Sequence, residues 1–194
     1  MQKKKLCYVL PEYDAEAHTH FSYLTPFIRT LAKEFDIWLI VQRGTAPPDM
    51  GAIRVSVAHS SIPFLRFIKI KLLLLRARFS GYKDFYVHYS FFSAYVASII
   101  VRIMGGRVFY WNCGEPWKYE RNFFRRTFER IVYALTTYLV TGTEGMKEQY
   151  AKHYGLNPAK IKVMPNWINI SNIKNQISNL KTKEIKNALH ISEG

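Results

Sequence analysis

The stretch that decides the fold is Tyr138-Leu-Val-Thr-Gly-Thr-Glu-Gly-Met-Lys147, read together with Lys160-Ile-Lys-Val-Met-Pro-Asn-Trp-Ile-Asn169. Tyr138 to Thr141 is a short apolar run of strand length. Gly142-Thr143 then turns the chain, with Thr143 placed to cap a helix from Glu144 to Tyr154. Ile161 to Met164 is a second apolar run, stopped by Pro165, which has no N–H to give to a ladder. Strand, cap, helix and strand make a βαβ unit, in which both strands run the same way and the helix covers one face.

The same alternation runs back to the N-terminus. Leu6-Cys-Tyr-Val-Leu10 is an apolar run ended by Pro11, the composition of a strand buried on both faces. Leu24, Phe27, Ile28, Leu31 and Phe35 recur at helical spacing, ending near Glu34, and Asp36 precedes a strand from Ile37 to Val41. Ile53 to Val57 alternates as a third strand. Residues 62–79 read as a basic, very apolar helix, Asp84 to His88 as a strand, and Phe91 to Met104 as a helix closed by a left-handed cap at Gly105-Gly106. Arg107 to Trp111 is a fifth strand, followed by a loop to Lys118 and a helix from about Tyr119 to Leu135. About seven strands alternating with helices predict a doubly wound α/β domain with a mostly parallel, Rossmann-like sheet. Ligands of such sheets gather beyond the carboxyl ends of the strands. The loops Pro11–His20, Gln42–Gly44, Tyr89–Ser90, Asn112–Lys118 and Gly142–Thr143 are therefore expected on one rim. Residues 170–194 are polar, with sparse aliphatics at Ile173, Ile177, Leu180, Ile185 and Leu189, and read as a linker with a weak amphipathic helix. The expected domain is 1–169.

Lys and Arg number 28 against 14 acids, a net charge of +14, so an anionic partner is expected: lipid phosphate, nucleotide or nucleic acid. The two cysteines, Cys7 and Cys113, have no metal-ligand spacing and read as reduced thiols. Lys3-Lys4-Lys5 is followed by too few apolar residues for a signal peptide, and no uncharged run approaches the ~18 residues of a membrane span. A cytoplasmic chain, or one peripheral on the cytoplasmic face of a membrane, is expected. No helix-turn-helix, zinc or RNA-binding signature accompanies the dispersed charge, so nucleic acid is not the expected partner.

Val140-Thr-Gly-Thr143 opening a helix that carries Lys147, and Ile161-Lys-Val-Met-Pro-Asn-Trp-Ile-Asn169 closing the domain, resemble the N-terminal half of a GT-B-fold retaining glycosyltransferase, family 4 in particular. The likeness extends more loosely over Leu6–Leu31 and Asp84–Gly114. The resemblance implies a glycosyltransferase acting on a nucleotide-sugar donor and a saccharide or lipid acceptor, with the acceptor on this half and no bound cofactor or metal. It implies a hinge at Pro165-Asn166 leading to a second, donor-binding domain, which is missing from this sequence, so the chain alone is expected to be inactive. Two departures stand out. Glu12 to His20 replaces the glycines usual after the first strand, and Asn112-Cys-Gly-Glu-Pro-Trp117 replaces a His usual after the fifth.

Glu115 either orients or deprotonates an acceptor hydroxyl, or caps the helix that follows. Trp117 offers a flat face to a sugar ring. His18 and His20, with Asp14 in the same loop, are either acceptor contacts or part of a solvated loop. His88, which ends a strand, is either an acceptor contact or a hydrogen-bonded structural residue. Gly142 and Thr143 place a helix N-terminus where a donor phosphate can sit, and Thr143 is also a plain N-cap. Finally, Phe64, Arg66, Phe67, Lys69, Lys71, Arg76 and Arg78 lie on a helix that carries only cationic charge. Either it inserts at an anionic membrane surface, or it packs on the sheet with its basic residues in water. Arg121, Arg125, Arg126 and Arg130 extend such a face. The rival readings are a non-catalytic peripheral membrane-binding domain, a basic nucleic-acid binder, and an epimerase of the same two-domain fold.

Overall fold

In the computed structural model the described residues are 3–13, 24–45, 51–52, 54–58, 60, 62–120 and 122–165. Their seven strands are β1 (Lys4–Leu10), β2 (Phe35–Val41), β3 (Arg54–Val57), β4 (Asp84–His88), β5 (Arg107–Trp111), β6 (Tyr138–Thr141) and β7 (Ile161–Val163). They form one parallel sheet in the order β3-β2-β1-β4-β5-β6-β7. The doubly wound architecture expected from the alternation is therefore the observed one.

Right-handed crossovers dictate where the helices go. From β1 the chain moves one way along the sheet, through α1 (Leu24–Glu34), to β2. From β3 onward it moves the other way, through α2 (Pro63–Phe79), α3 (Phe91–Met104), α4 (Phe123–Leu135) and α5 (Glu144–Tyr154). The core divides accordingly. Leu24 and Ile28 of α1 pack with Tyr8, Leu10, Ile37, Leu39 and Val41 on one face. Ile70 and Leu74 of α2, Ala94 and Ala97 of α3, Val132 and Tyr133 of α4, and Tyr150 of α5 pack on the other. β1 contributes to both clusters, which is why its run from Leu6 to Leu10 is continuously apolar.

The structure moves some boundaries. Phe35 begins β2 directly after Glu34, so it is a strand residue rather than the last turn of α1. The helix expected from Tyr119 is two elements: a 3-10 turn over Pro116–Lys118, then α4 from Phe123, whose first turn is capped by Asn122 accepting from the Arg125 amide at 2.9 Å. Gly105 closes α3 at φ +74° and ψ +153°, outside the left-handed helical region, whereas Gly155 closes α5 as a true left-handed cap at φ +64°, ψ +34°. β7 stops at Val163, one residue earlier than expected. Asp14, His18, His20, Arg121, Asn166 and the tail 170–194 lie outside the described residues.

Candidate acceptor rim

The strand order reverses at β1, with β2 on one side and β4 on the other, and in such sheets ligands collect at the carboxyl end beside that switch point. The loops gathered there are tied to one another. Tyr13, after β1, donates its amide to the Arg43 carbonyl (3.1 Å) and accepts from the Thr45 amide (3.2 Å). This approach needs glycine at 44: its φ is +94°, and a Cβ would stand 1.9 Å from the Tyr13 carbonyl oxygen. Gln42, after β2, donates through Nε2 to Ser93 Oγ (2.9 Å) and accepts at Oε1 from Ser90 Oγ (3.2 Å). Gln42 thus crosses the end of β1 to brace the start of α3, which Ser90 caps.

Only Tyr89 lies between β4 and that cap, and the tight connection forces it to φ +55°, a strained value for a bulky residue. Tyr89 Oη meets Cys113 Sγ across the rim. Beneath it His88 is 2% exposed, stacked on Trp111 with 5° between ring planes and met edge-on by Tyr89. Burial lowers its pKa to about 3, so the imidazole stays neutral at physiological pH. His88 is a floor of the rim, and it is too buried here to touch an acceptor.

The loop 112–115 is held from below. Asn112 accepts from the Gly114 amide (3.0 Å) and donates to Tyr133 Oη (3.0 Å), while Tyr150 Oη donates to the Gly114 carbonyl (2.8 Å). Burial raises the Tyr150 phenol well above its ordinary value, so it remains a donor. This frame presents Glu115, half-exposed, at the rim. Its carboxylate pairs with Lys118 Nζ at 2.8 Å and makes no capping bond, so the capping alternative is not what its side chain does. Trp117 has one face stacked on His153 (4.9 Å, 6°) and an edge against Tyr150. It walls a cleft outside the rim rather than offering a free face over it.

Thr143 caps α5 by accepting from the Met146 amide at 3.1 Å. At Gly142 a Cβ would lie 3.7 Å from Cys113 Cβ, an ordinary contact, so that position does not require glycine for space. Pro165 follows β7 on the same edge. Among the described residues no three His, Cys, Asp or Glu side chains group as a metal site, and no helix is long and apolar enough to cross a membrane. Glu115 and the polar loop atoms can orient a hydroxyl or accept its proton.

The sequence profile described as Glycosyltransferase Family 4 matches residues 21–172. The chain belongs to glycosyltransferase family 4. Among solved structures this family 4 chain is similar to a glycosyltransferase from Rickettsia africae (TM-score 0.63, 13% identity, 100% of this chain and 51% of that one). It is similar also to the lipopolysaccharide outer core galactosyltransferase WaaB (0.62, 14%, 86% and 46%). The UDP-GlcNAc 2-epimerase of Methanocaldococcus jannaschii shares the fold as well (0.56, 16%, 82% and 45%). No curated protein matches the chain by sequence. At such identities the likeness is one of fold, and the chain spans about half the length of these solved structures.

α2, α3 and α4 lie side by side on one face of the family 4 domain, joined by Phe67 against Phe92 (4.6 Å) and Tyr95 against Phe128 (5.6 Å). Their outer surface exposes Phe64, Phe67, Leu72, Ile103, Phe123 and Phe124. Lys69, Lys71, Arg76, Arg102, Arg126 and Arg130 are exposed among them, and the one carboxylate on the three helices, Glu129, is buried. Arg66 is half-buried. Arg78 is engaged elsewhere: its guanidinium donates to the Met104 and Gly105 carbonyls (3.0 Å to Gly105), capping α3, so it is not a free surface cation.

Sequence reasoning put Gln42 and Tyr89 in rim loops without giving either a role, and it missed the tyrosine frame under Gly114. The Tyr89 turn had a local signal, since strand-final His88 and the Ser90 cap leave one residue to reverse direction. The bracing by Gln42, Tyr133 and Tyr150 spans 21 to 51 residues of sequence and had none.

Proposed function

We propose that this family 4 chain is the acceptor-binding half of a glycosyltransferase that moves a sugar from a nucleotide-sugar donor to a lipid or saccharide acceptor held at an anionic membrane surface. The observation that carries the membrane part is the α2–α4 face, apolar and cationic with no exposed carboxylate. Such a face favours insertion of Phe and Leu while Lys and Arg reach the headgroups. The nucleotide-sugar part draws on relatives of this fold, one of which, Anabaena HepE, is solved with UDP-glucose (TM-score 0.58, 13% identity). In this reading Glu115 at the braced rim orients the acceptor hydroxyl, Gly142 and Thr143 face the donor side, and Pro165 leads to the hinge. His18, His20 and Asp14 are further acceptor contacts. The chain by itself holds acceptor without turning over donor, a reading supported by its spanning about half the length of the glycosyltransferases it resembles. No cofactor is called for.

The test is co-sedimentation with phosphatidylcholine vesicles, with and without anionic lipid, alongside nucleotide-sugar turnover. Retention on anionic vesicles with no turnover is the expected result. Failure to bind either vesicle, with tight and steeply salt-dependent binding to DNA or RNA, would overturn it in favour of a nucleic-acid binder.

A further inference from the structure

On the outer side of the rim, the 3-10 turn Pro116–Lys118, α4 and α5 frame a groove of about 630 Å³. Pro116, its first wall residue, directly follows Glu115. Arg126 and Arg130, one helical turn apart on α4, line it together. Both also line a shallower hollow of about 300 Å³ with Phe123 and Thr127, so the arginine pair is common to the two cavities. Neither guanidinium has a hydrogen-bond or ion-pair partner among the described residues.

Two carboxylates, Glu120 and Glu129, line the same groove. Glu129 is 2% exposed; its Oε2 accepts from Tyr154 Oη at 3.2 Å, and Arg125 Nε lies 3.7 Å from its Oε1. Its carboxylate thus faces Arg125 and Tyr154, and neither of these contacts is to Arg126 or Arg130. Glu120 is exposed, where water and salt screen it. The opposite wall is the fixed stack of Trp117 on His153. At the start of α4, beside the arginines, Phe123 and Phe124 are 76% and 81% exposed.

Two guanidinium forks with no direct partner among the described residues match the oxygens of a phosphoryl group better than any neutral ligand. Large aromatic rings left in water next to them match an apolar phase. We propose that this groove binds the phosphate or diphosphate of an amphiphilic acceptor. Arg126 and Arg130 hold the phosphoryl oxygens, and Phe123 and Phe124 enter the layer that holds its tail. The proposal rests on the reading of this domain as an acceptor platform and names the acceptor class: a phosphate-bearing lipid, whose sugar would then lie toward Glu115.

Two probes separate the ligand's sources. Inorganic pyrophosphate, titrated into the chain, tests the phosphoryl chemistry alone. Phosphatidylcholine vesicles doped with phosphatidic acid, against phosphatidylcholine alone, test the lipid. R126Q/R130Q is expected to weaken both by about tenfold per arginine, the scale of a lost charge-assisted bond. Its unfolding transition should stay put, because both side chains are exposed and unpartnered. K71Q/R76Q on α2 lowers the net charge equally outside the groove and should leave pyrophosphate affinity intact. Equal losses of pyrophosphate affinity from the two variants, or pyrophosphate binding indifferent to R126Q/R130Q, would overturn the groove assignment. Vesicle binding through α2 without pyrophosphate binding would sink the groove and leave the platform reading standing. Pyrophosphate held by the arginines without any vesicle binding would keep the phosphate site and overturn its lipid source.

Discussion

Replacing Lys69, Lys71 and Arg76 by Gln removes three exposed charges from α2 without touching its buried face of Ile70, Leu74 and Ala77. A basic side chain near an anionic leaflet contributes ~1 kcal/mol, so the triple variant should lose ~3 kcal/mol of membrane partition, a factor of about 150. The apolar half of the surface gives an independent scale. Phe64 is 69% exposed, and fully burying such a ring contributes ~1.5–3 kcal/mol, so Phe64→Ser should lose ~1–2 kcal/mol. The two losses differ in kind. The charge term decays over a Debye length of ~8 Å at physiological salt and shrinks further as salt rises, while the apolar term does not. Sedimentation with phosphatidylserine-containing vesicles at low and high salt separates them. Arg78→Gln is the internal control, because that guanidinium caps α3 through the Met104 and Gly105 carbonyls. It should cost ~1–2 kcal/mol of stability and little partition. A triple variant that sediments like the parent at low salt would refute the membrane reasoning, as would a loss of equal size at high salt.

Three further outcomes follow from the rim. His88 is held neutral with its pKa lowered to about 3 against an ordinary 6.5, so the unfolded chain takes up a proton that the folded chain refuses. Its contribution is complete above pH 6.5 and is lost as pH falls toward 3, at ~1.4 kcal/mol per unit; denaturant unfolding at pH 7 and 5.5 should show a drop of about that size that His88→Gln lacks. Asn112→Ala strands the Gly114 amide and removes one donor to the Tyr133 hydroxyl, and should cost ~1–3 kcal/mol in chemical unfolding, with Tyr150→Phe costing ~1 kcal/mol through the Gly114 carbonyl. Gly44→Ala puts a methyl into the Tyr13 carbonyl at φ +94° and should cost more than ~2 kcal/mol, read as a lowered midpoint with separated loops 11–13 and 42–45 exchanging their amides faster.

The strands and helices nearest the sheet's centre were legible because their signals are local. β4, β5 and β6 are short apolar runs between polar breaks, and Ser90, Thr143 and Gly155 punctuate α3 and α5 with the side-chain oxygens and the positive φ those ends require. Boundaries failed where two local signals compete. Phe35 fits the helical stripe of α1 as well as the strand it joins, and pairing with Lys4 of β1 decides for the strand. Tyr119 continues an apparent helix, but Pro116 sets up a separate turn and Asn122 offers the better cap. The site was half legible for the same reason. Glu115 stands in a Gly-Glu-Pro turn that any reader can mark as a rim loop. What makes it a fixed feature is Asn112, Tyr133 and Tyr150 converging from three elements, and no spacing in the chain records that convergence.

The surplus of +14 illustrates the difference between a partner's sign and its address. Summed charge predicts attraction to anions over a Debye length and does not distinguish lipid, nucleotide or nucleic acid. The proposed membrane reading draws instead on what the fold leaves beside the charges. Arg107, on β5, is committed to Asp84 at 2.6 Å, and Arg78 to the end of α3, so these cations are part of the scaffold. Those left to solvent on α2, α3 and α4 share their surface with Phe64, Leu72, Phe123 and Phe124. A duplex backbone has nothing to offer four exposed aromatic and aliphatic side chains, whereas a lipid interface solvates them and neutralises their neighbours at once. The crossover rule explains why these helices stand together, since every connection from β3 onward must return on the same face. The apolar, cationic helix face and the rim at the strand ends are thus fixed by one topological fact, and the groove at Arg126 and Arg130 lies where they adjoin.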